Sequence, residues 1–326
     1  ATARQWLGKH HYTLTVSPFA ELAAASNDLD RSKLPALGAP PAVQFPQMQR
    51  AKLGNGLEVL LMERHSAPLV NFALAVDAGV AADPIDRRGS GRFAMDLLLK
   101  GTTDLDTYAI ADRRDALGAV LAVEHALDQS LVYLNALKPS LAASLELFAD
   151  IALNPAFPAD MIEVQRKQQL AAIEQQKANP NGAAFRAVAP LLYGAMHPYA
   201  QAPGGLGDTT VVSTLAREAL SEWHARWFVP GNATLVVAGD VTMAELLPLL
   251  ERSFGGWRGA AAPAKTVGAA TSIGTGKVYL IDKPDAPQSL ILAAHVAASG
   301  ARADDLALET VMRNFGGMAT ARLNRN

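Results

Sequence analysis

The chain has 326 residues, half of them hydrophobic, a net charge of -2 and no cysteine. That length exceeds what one compact core usually holds, so two structural units, or one and part of another, are expected. The composition excludes disulfides, thiolate nucleophiles and cysteine-held zinc; no basic stripe marks a nucleic-acid binder, and no apolar run has the length of a membrane span.

Residues 11–16, His-Tyr-Thr-Leu-Thr-Val, alternate like the last strand of something earlier. The chain stops at Arg322-Leu323-Asn324-Arg325-Asn326, in what reads as the start of an element. Both ends therefore read as cut, and the chain as a piece of a longer protein. Pro18, Pro35, Pro40, Pro41 and Pro46 make residues 17–48 a linker, because proline at that density blocks both helix and central strand.

Regular structure begins near Arg50. Asn55-Gly56 before the run Leu57–Met62 predicts a two-residue hairpin turn, since both residues tolerate positive φ. Leu69–Ala78 alternates as a second strand, with Phe72, Leu74 and Val76 on one face. A helix over Gly91–Leu99 ends at Lys100-Gly101, a basic last turn followed by a glycine cap. Thr107–Leu117 reads as a helix with Asp106 as N-cap and Gly118 as stop. Val120–Val123 and Ser130–Leu137 read as paired strands. Helices follow over Leu141–Leu153, Pro158–Lys177, Gly182–Tyr193 and Ala216–Trp227, then a strand Asn232–Ala238 and a helix Ala244–Phe254. After an Ala/Gly/Thr/Pro-rich linker come strands Lys277–Ile281 and Ser289–Val296, a helix Asp304–Arg313 and a Gly316-Gly317 turn.

This mixture lacks the strict strand–helix–strand rhythm of a parallel fold. It implies an α+β class, with helices packed on a mostly antiparallel sheet. The expected boundaries are 1–49 for the end of a preceding unit and linker, 50–258 for the main domain, 259–276 for a second linker and 277–326 for the beginning of a second, similar domain.

The informative segment is Gly89-Ser-Gly-Arg92-Phe-Ala-Met95-Asp96-Leu-Leu-Leu-Lys100-Gly101-Thr102. It resembles the signature helix of the pitrilysin-like zinc peptidases, the inverzincins, whose pattern is His-x-x-Glu-His followed by apolar residues and Lys-Gly-Thr. In that pattern histidines at i and i+4 share one helix face and grip one zinc, while the glutamate takes a proton from the metal-bound water. Here the two histidine positions hold Arg92 and Asp96, and the glutamate position holds Met95. The family's third ligand is a glutamate on a later helix. The matching helix is Glu163-Val-Gln-Arg166-Lys-Gln-Gln-Leu170-Ala-Ala172-Ile173-Glu174, and alignment on Arg166 and Leu170 puts Ala172 at the ligand position. Glu174 lies about 200° further around the helix and would point away. A guanidinium cannot ligate and a thioether cannot act as a base, so only Asp96 offers an oxygen.

Other stretches are similar to the family in order: Lys52-Leu-Gly-Asn55-Gly56-Leu, Met196-His197-Pro198-Tyr199, Phe228 through Val241, Phe254-Gly-Gly-Trp257, Pro287-Gln288-Ser289 and Phe315 through Leu323. The resemblance covers residues 50–326. It implies the non-catalytic half of a tandem or two-subunit zinc metallopeptidase. Such a half has no cofactor of its own, walls part of a peptide-enclosing chamber and supports an active half that holds the zinc, in the same chain or in a partner subunit. Peptide substrates are expected, held by strand addition to a sheet edge near Val120, Leu121, Ala122 and Val123. No nucleic acid and no membrane span are expected, and the periplasm is implied by resemblance alone. The alternative is a scaffold or assembly protein derived from a peptidase, without proteolysis in the complete protein.

Arg92 and Asp96 stand at i,i+4 and can pair across one turn, filling the vacated position with a salt bridge; the other reading is two unrelated surface charges. No two of the seven histidines stand at i,i+3 or i,i+4, so each reads as a packing or surface residue, with His197 buttressing a loop. Glu124, His125 and Asp128 admit an acid–base reading, and an exposed strand end explains them as well.

Overall fold

The computed structural model describes residues 14–15, 38, 46–270, 276–284, 288–297 and 302–325. The chain divides into two compact units, residues 1–45 and 46–326. Of the first, only Leu14, Thr15 and Gly38 are described, so the strand expected at 11–16 and most of the proline-rich linker lie outside the described residues.

In the second unit six strands form one sheet: β1 (Gln49–Lys52), β2 (Glu58–Glu63), β3 (Leu69–Val76), β4 (Val120–His125), β5 (Ser130–Leu137) and β6 (Ala233–Gly239). Their order is β1-β2-β6-β3-β5-β4, antiparallel throughout except for the parallel pair β2 and β6. Alternation sets one face of this sheet against the core. Phe72 lies opposite Leu134 and Val237, and Leu74 opposite Val132 and Leu235, so apolar rows run across three strands. All six are buried. The other face is polar and half-exposed: Asn135 donates to Asn71 at 2.8 Å, and the Tyr133 hydroxyl donates to Glu124 at 2.8 Å. A sheet with one covered face is what an antiparallel architecture permits.

The helices are α1 (Ser90–Leu97), continued by a 3-10 turn at Leu98–Lys100, α2 (Thr107–Leu117), α3 (Leu141–Leu153), α4 (Ala159–Ala178), α5 (Pro180–Tyr193), the single turn α6 (Thr209–Val212), α7 (Arg217–Trp227), α8 (Met243–Phe254) and α9 (Asp305–Met312). Phe148 of α3 bridges the sheet to α8, with ring centroids 6.3 Å from Phe72 and 5.9 Å from Phe254. Truncating one such fully buried ring typically costs ~3–5 kcal/mol. The α+β class, helices on a largely antiparallel sheet, is therefore what the chain adopts.

Three local expectations change. The Asn55-Gly56 turn is not a two-residue hairpin. Gly56 has φ 100, but Asn55 is not among the positive-φ residues, and the loop spans Leu53–Leu57, closed by Leu53 N donating to Leu57 O and Gly56 N donating to Leu53 O. The Asn55 side chain serves tertiary structure instead, donating to the carbonyl oxygens of Phe254 at 2.7 Å and Trp257 at 3.2 Å. Asn179-Pro180 both stops α4 and starts α5: Asn179 caps α5 by accepting from the amides of Asn181 and Gly182, and Pro180 takes the first helical position, where no N–H is needed. Finally, the described residues of 277–281 and 289–296 form no strand. Val278 and Leu280 are almost fully exposed there. Alternation becomes a strand only where a neighbouring edge pairs its amides and carbonyls, and no described strand borders these segments.

Candidate functional site

The start of α1 is held from outside the helix. Asp83, in the preceding loop, accepts from the backbone amides of Gly89 at 2.8 Å and Gly91 at 2.9 Å, satisfying two of the donors that a helix N-terminus leaves open. Burial pushes this carboxyl up to about 7, while those amide bonds pull the other way. Gln169 of α4 ties the same point to a glycine loop, donating to Leu206 O at 2.9 Å and Gly89 O at 3.3 Å. Gly207 has φ 70, and a Cβ there would lie 2.2 Å from Arg88 O, so only glycine lets this loop approach α1 so closely.

Between α1 and α4 lies a cleft of about 410 Å³, lined by Arg92, Asp96, Lys100, Gln165, Gln168 and Ala172, with Leu99, Val123, Gln169 and Leu206 completing the wall. Arg92 Nε donates to Asp96 Oδ2 at 2.7 Å, so the two charges are a pair and not independent surface groups. Gln165 Nε2 donates to the same oxygen at 2.9 Å. Ala172 stands two helical turns beyond Gln165 on the same face of α4. Three of the four positions singled out in the sequence, Arg92, Asp96 and Ala172, thus meet at one cleft. Met95 does not; it is 1% exposed and packed in the core.

These residues do not fit zinc. The place of one ligand is taken by a guanidinium, whose fixed charge repels a dication. Ala172 offers no donor, and the one carboxylate oxygen facing the pair is already engaged by Arg92 and Gln165. Among the described residues no three His, Asp or Glu side chains gather as a metal-binding group.

The remaining candidates separate. In β4, Leu121 faces the core, Val123 lines the cleft, and Val120 and Ala122 are exposed; β4 is an edge strand whose described partner is β5. Glu124, His125 and Asp128 do not converge. Glu124 accepts from Tyr133 and Asp128 from Tyr199, whereas His125 is buried with Nδ1 2.8 Å from Ser130 Oγ. Burial, with a contribution from the Arg92 charge, pushes the His125 ring down to about 3. It stays neutral near pH 7 and has no proton to give as an acid. His197 does buttress a loop: its ring accepts from Tyr199 N at 3.0 Å, contacts Gly268 O at 2.9 Å and stacks on Tyr193. Arg166, used above as an alignment anchor, is structural, donating to Val212 O and Leu215 O and lying over the Phe93 ring.

Sequence reasoning missed Lys100, Gln165 and Gln168. The signal was present for the glutamines, because positions 165, 168 and 172 share a face of α4 with the alanine already singled out. Among the described residues, neither the Lys100 ammonium nor the Gln168 amide has a hydrogen-bond or ion-pair partner. No described helix is long and apolar enough to cross a membrane.

Comparison with known proteins places the same segments. Residues 58–197 match the family model described as Insulinase (Peptidase family M16), and residues 214–326 match the one described as Peptidase M16 inactive domain. An uncharacterized zinc protease of Mycobacterium leprae is 27% identical over 74% of this chain and 54% of its own length. Bovine cytochrome b-c1 complex subunit 1, mitochondrial, is 27% identical over 66% of this chain and 44% of its own. The crystal structure of a peptidase M16 inactive domain from Pseudomonas fluorescens superposes with a TM-score of 0.65 at 26% identity, covering 69% of this chain and 54% of that one. The chain thus spans about half the length of the relatives it matches. With the order of its motifs, its sheet and both family models in agreement, this chain belongs to the pitrilysin-like peptidase family M16, on the side of its inactive domains.

Proposed function

We propose that this chain is the non-catalytic half of a zinc metallopeptidase. In this reading it forms part of the wall of a peptide-enclosing chamber and supports a separate half that carries His-x-x-Glu-His and the zinc. The observation that carries the reading is the cleft between α1 and α4, where an arginine–aspartate–glutamine cluster and an alanine occupy the place a zinc site would need. Residues 50–258 would be the degenerate peptidase domain, 259–276 a linker and 277–326 the beginning of a second domain. Unfolded peptides would add to the edge of β4 at Val120–Val123, whose outward backbone groups suit strand addition. The compartment proposed is the periplasm.

The test is hydrolysis of a quenched-fluorescence peptide by the chain alone and together with a His-x-x-Glu-His half. The expected result is no cleavage by the chain alone and cleavage, abolished by a chelator, once the active half is added. Chelator-sensitive cleavage by the chain alone would sink the proposal. Kinship with a cytochrome b-c1 subunit supports a second reading, an assembly protein without proteolysis. It is favoured if the chain purifies from its host in a stable complex in which no subunit carries His-x-x-Glu-His.

A further inference from the structure

We propose that the cleft between α1 and α4 has changed the sign of its ligand and binds the carboxylate of an acidic side chain on a bound peptide. This inference rests on the peptide-holding role proposed above. Arg92 and Lys100 bring two positive charges to the cleft against the single negative charge of Asp96. That negative charge is largely spent inside the site, since one Asp96 oxygen accepts from both Arg92 Nε and Gln165 Nε2. The two Nη groups of Arg92 make no hydrogen bond among the described residues, and neither does the Lys100 ammonium nor the Gln168 amide.

What remains is a set of donors without acceptors. The guanidinium fork matches a carboxylate in two parallel bonds, the ammonium adds a point charge, and the Gln168 amide adds a neutral N–H. Asp96 holds the fork from behind, so little side-chain freedom is lost when a ligand is engaged. Leu99, Val123 and Leu206 form apolar walls that exclude water on one side and strengthen a charge–charge contact. A cleft of about 410 Å³ takes a side chain, not a folded segment. Val123 belongs to both β4 and the cleft wall, so a peptide added along that edge would place side chains at the opening.

The experiment uses end-blocked fluorescent peptides of one sequence with central Glu-Asp or Gln-Asn, titrated by anisotropy at two salt concentrations. The acidic peptide is expected to bind about tenfold more tightly at low salt, a preference that shrinks as salt rises. Arg92→Gln and Lys100→Met are each expected to bring the two peptides toward parity. Lys100→Met breaks no described bond, so it separates loss of binding from loss of fold. Equal binding by the unaltered chain overturns the inference and leaves peptide holding intact. Binding of neither peptide overturns both. A preference that survives both substitutions also overturns it.

Discussion

Arg92 and Asp96 stand where the family pattern has imidazoles, and they pair through Arg92 Nε while both Arg92 Nη groups stay without a partner among the described residues. The Arg92–Asp96 contact at 2.7 Å, shared with Gln165, pairs two partly exposed charges at the junction of the two helices. Arg92, Asp96 and Ala172 still line one cleft. The triple variant Arg92→His, Asp96→His, Ala172→Glu is therefore expected to retain about one zinc per chain after dialysis by metal analysis, where the unaltered chain retains none. It is not expected to hydrolyse peptide, because Met95 lies in the core and the helix offers no base at that position. The altered residue types were legible in the sequence. The contribution of Lys100 and Gln168 was not, because an unpartnered donor acquires meaning only once its surroundings are known.

The Asp106 cap was legible in the sequence, whereas the caps at Asn179 and Thr242 were not named there. Asp106 accepts from Ala109 N at 2.8 Å to open α2, and Thr242 and Glu245 form a reciprocal capping box at the start of α8. Asp106→Ala and Thr242→Ala are each expected to lower stability by ~1 kcal/mol, read as a shift of the urea midpoint with an unchanged slope. The helix α8 packs Leu246, Leu250 and Phe254 into the core, so loss of its cap is felt globally. Less legible were signals that depend on a remote partner. Asn55 looked like half of a turn and proved to be a tether for Phe254 and Trp257, 199 and 202 residues away. Residues 277–281 and 289–296 alternate well, but alternation specifies only which side a residue takes once a sheet is available.

At the scale of the whole molecule, three buried titratable groups make stability depend on pH, two of them against acid and one against base. Burial pushes His125 down to about 3 and His224 down to about 4, the latter despite its bond to Ala152 O. Each contributes stability that is present above the unfolded value of 6.5 and lost as pH falls toward the folded value. Asp83, raised from 3.8 to about 7, acts in the opposite sense, its contribution lost as pH rises through 7. Between pH 4 and 6.5 the unfolded chain therefore binds two more protons at the histidines and one fewer at Asp83, a net of one. Unfolding free energy is expected to rise by about 1.4 kcal/mol per pH unit across that window, measured by urea titration at several pH values. His224→Gln, which keeps a donor for Ala152 O, should flatten that rise.

The strand order has a consequence for how the polypeptide is made. β2 and β3 are consecutive in the chain, yet β6 lies between them, hydrogen-bonded to both. Until residues 233–239 leave the ribosome, the sheet is two separate pieces with a slot between them, each showing a raw edge, and α8, which packs on Phe148, is still unmade. The last strand thus works as a keystone. Some two hundred residues must wait for it, and chaperone cover during synthesis would matter most in that interval.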